Sequence, residues 1–388
     1  MNKVVKNITL FLVILFPLVS EAQSYDSSRY NLLQNPFVQI EATEAINAMY
    51  NFEFEKSKSH FEYLKYRYPG HPLPYLLIGL NYWWRIVPNY TNEEWDNVFI
   101  AYMDSTELFA KQLKKENEIE GAFFLAASYA FAGRLYSERS QYRKAAIAGK
   151  NSLKYLQECR GHEAYSPELL FGDGLFNYYA EWIRENYPLL RPLMWVFPKG
   201  DKKKGIEQLK EVSRNAFYSR TEAQYYLMRL LAQEEKDIRG GMQVAEYLNK
   251  SYPNNAYFER FYVQLLYQSG RYTQVEGLAK GMLTKIDSAQ TGYEENSGRY
   301  AAFFLGHIYQ IRKKYEESKK YYKMGMEYSE KIGATDKGYY FYSLLHLGNI
   351  AEKEGDDELA REYYQRVKKI ADRNHAARDQ AKIRLKNM

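Results

Sequence analysis

Cysteine is all but missing from this chain of 388 residues: Cys159 stands alone, so no internal disulfide can form, and a buried, inert thiol is expected there. Histidine is scarce as well. His60, His71, His162, His307, His346 and His375 fall at no spacing that would gather a metal, and His162 with Glu163 is a pair without a third ligand. The chain also has no Gly-x-Ser-x-Gly elbow, Walker loop or dinucleotide fingerprint. We therefore expect no catalytic residue, no metal and no cofactor. Charge of one sign is barely in excess, at a formal net of +6. Its local concentrations, Lys202–Lys204 and the stretch from Arg366 to Lys386, read as solvated helix faces and not as a nucleic-acid footprint. Beyond the first 22 residues no apolar run is long enough to span a bilayer.

The N-terminus is the first positive signal. Lys3 and Lys6 precede the apolar run Ile8 to Val19, and Ser20-Glu21-Ala22 places small residues before a cleavage point. That order is a secretory signal peptide over residues 1–22, leaving Gln23 as the first mature residue. Export without disulfides fits the periplasm or cell envelope of a Gram-negative bacterium, with peripheral envelope association as one form of it. Residues 23–36 are polar and expected to be poorly ordered. A helical array is expected over 37–374, closed by a charged capping helix over 375–388.

Aromatics are abundant, at 16% of residues, with 39 tyrosines. Tyrosine suits thin helical layers, because its ring packs between helices while its hydroxyl reaches a polar partner or water. The clearest pattern runs from Tyr300 to Ile370. Leu305, Gly306 and Tyr309 open one copy, and Leu347, Gly348 and Ala351 open a second, 42 residues later. Tyr315, Ser318 and Tyr322 close the first copy; Gly355, Ala360 and Tyr364 close the second. Each copy, over 298–331 and 341–372, reads as two amphipathic helices joined by a tight turn. Small residues stand where the helices approach and aromatics fill the space between. No such pair buries its apolar face alone, so the pattern predicts a stack.

These copies resemble the tetratricopeptide repeat (TPR) family, with its Leu-Gly-x-x-Tyr opening and following Ala and aromatic positions. The resemblance implies an all-α, right-handed superhelical solenoid that binds a protein or peptide along its concave face. By family position, Phe303, His307 and Gln310 in one repeat, and Tyr342, Leu345 and Asn349 in the next, would face that groove. Asn177, Tyr178 and Trp182 would continue it.

Weaker copies precede these. Ile46, Met49 and Tyr50 with Phe54, Phe61 and Leu64 make a first pair that ends at Pro69, and Pro74 opens a second, whose later helix is expected to start behind Asn92 at Glu93. Leu125, Ala126 and Tyr129 open a third; Ser166-Pro167-Glu168 starts a fourth. Within it, Gly172 and Gly174 lack a preceding strand, so close helix packing is a better reading than a phosphate loop. Residues 186–200 hold Pro188, Pro192 and Pro198 among apolar residues; we read this insertion as cover folded over the core, the alternative being an exposed docking patch. The run Gly174-Leu175-Phe176-Asn177-Tyr178-Tyr179, that insertion and Gly200 to Leu209 resemble a TPR branch with relatives at the mitochondrial outer membrane. Two looser pairs follow, with Gly270 and Tyr272 at the turn of the second.

The leading functional expectation is thus a non-enzymatic exported scaffold. A glycan-binding repeat protein stacking sugars on Trp83, Trp84, Trp182 or Trp195 is the alternative, and an enzyme with an unrecognised site comes third. Buried tryptophans would remove the alternative.

Overall fold

A computed structural model describes residues 31–388 except 189, 190 and 196. The predicted leader, 1–22, lies outside the described residues. Among these, every regular element is helical. The helices come in pairs: α1 (Pro36–Tyr50) with α2 (Phe54–Arg67), α3 (Pro72–Ile86) with α4 (Asp96–Leu113), and α5 (Glu118–Glu138) with α6 (Tyr142–Cys159). Next, α7 (Leu169–Asn186) is separated from α9 (Lys202–Asn215) by a strap holding the single turn α8 (Arg191–Met194). Then α10 (Arg220–Arg229), extended by a π-helical turn over Leu230–Glu234, precedes α11 (Ile238–Ser251), and α12 (Ala256–Gln268) precedes α13 (Tyr272–Asp287). The strongest copies are α14 (Glu295–Ile311) with α15 (Tyr315–Lys331) and α16 (Gly338–Glu354) with α17 (Asp357–Ile370); α18 (Ala376–Asn387) follows, capped by His375.

One backbone feature marks most of these pairs. The residue two places before the second helix is left-handed in six turns: Phe52, Ser140, Lys236, Gly270, Lys313 and Gly355. Only two of them are glycine, the residue that adopts this conformation without a Cβ penalty. Replacing Lys313 (φ 59°) by glycine is expected to raise stability by about 0.5 kcal/mol, the relief of strain outweighing glycine's entropy, as read from the denaturant midpoint.

The chain divides into two compact units. One comprises the described residues up to Ile46, Glu55–Tyr82 and Asp96–Arg220; the other comprises Asn47–Phe54, Trp83–Trp95 and Thr221–Met388. In the first, α5 packs on α4 and α6, and α7 on α9. Residues 31–35 lead into α1 and contribute two side chains to the core. Leu32 and Leu33 are fully buried, and the Leu33 N–H donates to the buried Glu120 Oε1 at 3.0 Å. His71 Nε2 meets the same oxygen at 3.2 Å, while its Nδ1 accepts the Leu73 N–H at 3.1 Å. The proton therefore sits on Nε2 in the neutral ring. Asn92 does not cap α4; its Oδ1 accepts the Glu94 N–H at 2.9 Å, an Asx turn that delays the helix to Asp96. Gly172 faces Leu156 of α6, and Gly174 lies against Gly205 of α9, so both glycines serve helix packing. Cys159 is buried, and burial pushes its thiol up to about 12, which keeps it an unreactive thiol at neutral pH.

In the second unit the π-helical turn packs on α11, each helix from α11 onward packs on the next, and α12, α14, α16 and α18 also touch one another in succession. This is the nearest-neighbour packing of a repeat stack. Its small-to-large rule is explicit: a Cβ on Gly306 would lie 2.7 Å from the Tyr322 ring, and one on Gly348 2.6 Å from the Tyr364 ring. The Tyr322 hydroxyl then donates to Gln310 Oε1 at 2.9 Å, and Tyr364 to Glu352 Oε2 at 2.8 Å. Further back, Trp84 is fully buried among Tyr50, Tyr225 and Phe258, and its indole N–H donates to Glu222 Oε1 at 2.7 Å.

Candidate functional site

The first helices of the pairs in the second unit carry a continuous set of rings. On α14, Tyr300, Phe303, Phe304 and His307 recur at the three- and four-residue spacing that makes one helix face. Tyr339, Tyr342 and His346 do the same on α16. The two sets meet: Tyr339 lies 4.8 Å from Tyr300 and 4.7 Å from Phe303, and His346 lies 5.4 Å from His307. From α12, Tyr267 stacks on Phe304 at 4.3 Å and its hydroxyl bonds His307 Nδ1 at 2.7 Å.

Two guanidinium groups stand at the other end of this set. Arg260 of α12 is only 7% exposed, donates to Ser297 Oγ and to the Pro88 carbonyl, both at 3.0 Å, and lies 5.5 Å from the Tyr300 ring centre. Arg299 sits 4.8 Å from the same ring, with its Nε–H donating to Asn296 Oδ1 at 2.9 Å. Among the described residues neither forms an ion pair with a carboxylate, and the buried Nη1 of Arg299 has no hydrogen-bond partner. Burial, aided by the neighbouring charge of Arg260, makes the Arg299 cation harder to hold than an ordinary guanidinium. The same physics acts on the imidazoles. Burial lowers His307, and burial together with His307 pulls His346 down to about 4, so both rings are neutral at pH 7.

That shift has a sign. A folded-state value below the unfolded one near 6.5 means that the unfolded chain takes up the proton first. Stability is therefore lost as pH falls from about 6.5 to about 4, by roughly 3 kcal/mol from His346. His346→Phe, which keeps the stack on Tyr322, is expected to remove that part of the slope. The difference between wild type and variant in urea unfolding free energy, followed across this pH range, measures it.

The residues expected to line the groove have mixed fates. Phe303, Leu345 and Tyr178 are buried among neighbouring helices, so they pack and present no surface. Asn177 is nearly buried and donates to Gln208 Oε1 at 2.7 Å. Gln310 accepts the hydroxyl of Tyr322, the Asn349 side-chain amide lies 2.8 Å from the Tyr364 hydroxyl, and His307 is bound to Tyr267. Tyr342, beside His375, and Trp182, beside Tyr187, keep partial exposure. Several of the polar groups at these positions are engaged by tyrosines, within the same helix pair for Gln310 and Asn349 and from the preceding pair for His307. Arg260, Arg299, Tyr300 and Tyr339, which the structure brings together here, were not among the expected residues; the available signal was an Arg-Tyr pair at the start of α14 and tyrosine again at the start of α16. Trp83 and Trp84, offered as sugar platforms, are core residues, which removes them from the glycan alternative. Of the strap over 186–200, Met194 is buried while Trp195 is 83% exposed, so it is cover at one residue and open surface at the next.

Residues 299–373 match the family model described as tetratricopeptide repeat. No curated protein matches the chain. Among solved structures, one titled as the human IFIT1 dimer with PPP-AAAA resembles it over 82% of this chain and 68% of that one, at 14% identity and a TM-score of 0.39.

Proposed function

With residues 299–373 being tetratricopeptide repeats, we propose that this chain is a non-enzymatic scaffold that holds a protein or peptide partner on the first-helix face of its second unit. The observation that carries the reading is the Arg299 guanidinium, with a buried, unpartnered Nη1 beside a second guanidinium and no carboxylate paired to either. The nearby carboxylates Glu294 and Asp336 act on Arg260 and Arg299 without pairing with them, and an acidic group of a partner set directly against Arg299 would offset the remaining cost of its burial. The tyrosines around it supply rigid rings with polar tips, the residue type favoured where proteins meet. Export to the envelope belongs to the same proposal and rests on the leader-like residues 1–22.

Photocrosslinking in the living cell tests it. A benzoylphenylalanine at Tyr342 is expected to capture a defined protein, whereas one at Tyr247, exposed on the second helix α11, is not. Arg299→Glu is expected to weaken capture at least tenfold without lowering the unfolding midpoint, since it places a carboxylate beside Arg260. Equal capture from both positions would rule out the first-helix face.

A further inference from the structure

We propose that the strap between α7 and α9 docks this chain on a lipid bilayer containing anionic lipids, with Trp195 entering the interface and nearby cations meeting the headgroups. The inference uses residues of the first unit only and is independent of the partner face described above. Trp195 is 83% exposed and Tyr187, at the start of the strap, is 50% exposed. Those two side chains, apolar in body and polar at one edge, are the ones that concentrate where hydrocarbon meets water.

The strap presents Trp195 from a fixed base. Arg184 of α7 donates to the carbonyls of Met194 and Phe197, each at 3.1 Å, and of Pro198 at 3.3 Å. Arg191 returns a bond from its Nε–H to the Arg184 carbonyl at 2.8 Å, and Met194 is turned into the core. The ring that faces solvent is therefore held there by its neighbours' backbone.

Charge selects the occupant. Three carboxylates beside the strap are engaged: Glu181 pairs with Arg184 at 3.4 Å, Glu185 pairs with Lys202 at 3.1 Å, and Asp201 caps α9 by accepting the Lys204 N–H at 3.1 Å. Arg191, Lys199 and Lys203 remain exposed and outside any ion pair among the described residues. In addition, α9 opens on Lys202, Lys203 and Lys204 with no acidic residue in its first turn. Lys202 is used within the fold, pairing with Glu185 and lying 5.4 Å from the Tyr178 ring centre, whereas the exposed Lys203 has no such partner among the described residues, at an end of the helix where cations are disfavoured. A surface of anionic headgroups offsets this cost, and a bilayer interface accepts an indole without a preformed pocket.

Vesicle co-sedimentation of the full mature chain tests the proposal. Vesicles of phosphatidylcholine with about one-third phosphatidylglycerol are expected to bind it at least tenfold better than phosphatidylcholine alone. Brominated lipid is expected to quench tryptophan emission in the wild type and not in Trp195→Phe. The double variant Lys199→Glu/Lys203→Glu, with an unchanged circular dichroism spectrum, is expected to lose about tenfold in binding. No binding to the anionic vesicles, or binding that both variants leave intact, overturns the proposal. Loss of partner capture at Tyr342 with vesicle binding retained would overturn only the scaffold face.

Discussion

Glu168→Gln is expected to cost the first unit about 3 kcal/mol, read as a drop in the urea or thermal midpoint. Glu168 is 1% exposed. Its Oε1 accepts the N–H groups of Phe217 at 2.6 Å and Tyr218 at 2.9 Å; its Oε2 accepts the Ser219 N–H at 2.9 Å and the Ser219 hydroxyl at 2.5 Å. The three amides are consecutive and lead directly into α10, so one carboxylate satisfies the turn between α9 and that helix. A glutamine has a single acceptor oxygen. Whichever way it turns, its amide faces at least one backbone N–H, and two donors then meet in a buried site. Charge-assisted bonds of this kind contribute about 1.5–3 kcal/mol each, and an orphaned buried donor costs about as much again. Glu207→Gln, on the exposed side of α9, is the control and is expected to stay within about 0.5 kcal/mol. If the two variants unfold alike, the carboxylate is not what holds the turn.

Gly205→Ala is expected to destabilise the same unit by about 2–3 kcal/mol. A Cβ at this position would lie 2.7 Å from the Gly174 carbonyl oxygen, 2.8 Å from the Tyr178 nitrogen and 3.1 Å from Tyr178 Cβ. The first two are backbone atoms of α7 and cannot step aside by a rotamer change, so α9 must move away along its length. Alanine's better helix propensity, about 1 kcal/mol, offsets only part of this. Gly174→Ala should cost less, because its nearest neighbour is the Leu209 side chain at 3.0 Å. Gly149→Ala and Gly277→Ala meet nothing within 4 Å and should stabilise by up to about 1 kcal/mol. The ordering of these four variants in one denaturant series separates a packing role from a propensity effect.

Both predictions fall in the part of the chain that looked least like a repeat. Gly174 with Gly205 was legible as a close contact only in kind: glycines inside a helical pattern mean that something approaches. What approaches was not legible, since the two positions are 31 residues apart and lie across the strap. Ser166-Pro167-Glu168 was legible as a helix start, yet Glu168 spends its carboxylate on a turn about fifty residues away. In the strongest copies the reading went further, because Gly306 with Tyr322 and Gly348 with Tyr364 are local pairs within one helix hairpin. There the register of the repeat and the partner of each glycine follow from short-range spacing.

The candidate face divides along the same line. Which helices form it could be read from the chain, but which side chains remain open on it could not. Phe303 and Leu345 sit at groove positions by family register and are nonetheless buried, Phe303 with the Tyr339 ring of the next repeat against it. Arg260 and Arg299 belong to different helices and become a pair only when α12 packs on α14.

By itself, then, the sequence determined the all-helical class, the pairing of helices, the glycine–tyrosine contacts within pairs and the absence of known catalytic motifs. Each of these depends on a period or a neighbour within about forty residues, where connectivity limits the alternatives. Tertiary structure alone decided that Leu32 and Leu33 are core, that Trp84 is core while Trp195 is open, and that two arginines share one tyrosine. Those outcomes depend on which surfaces meet after the pairs have formed. Burial and the loss of a counter-charge are properties of such a meeting, and no single segment carries them.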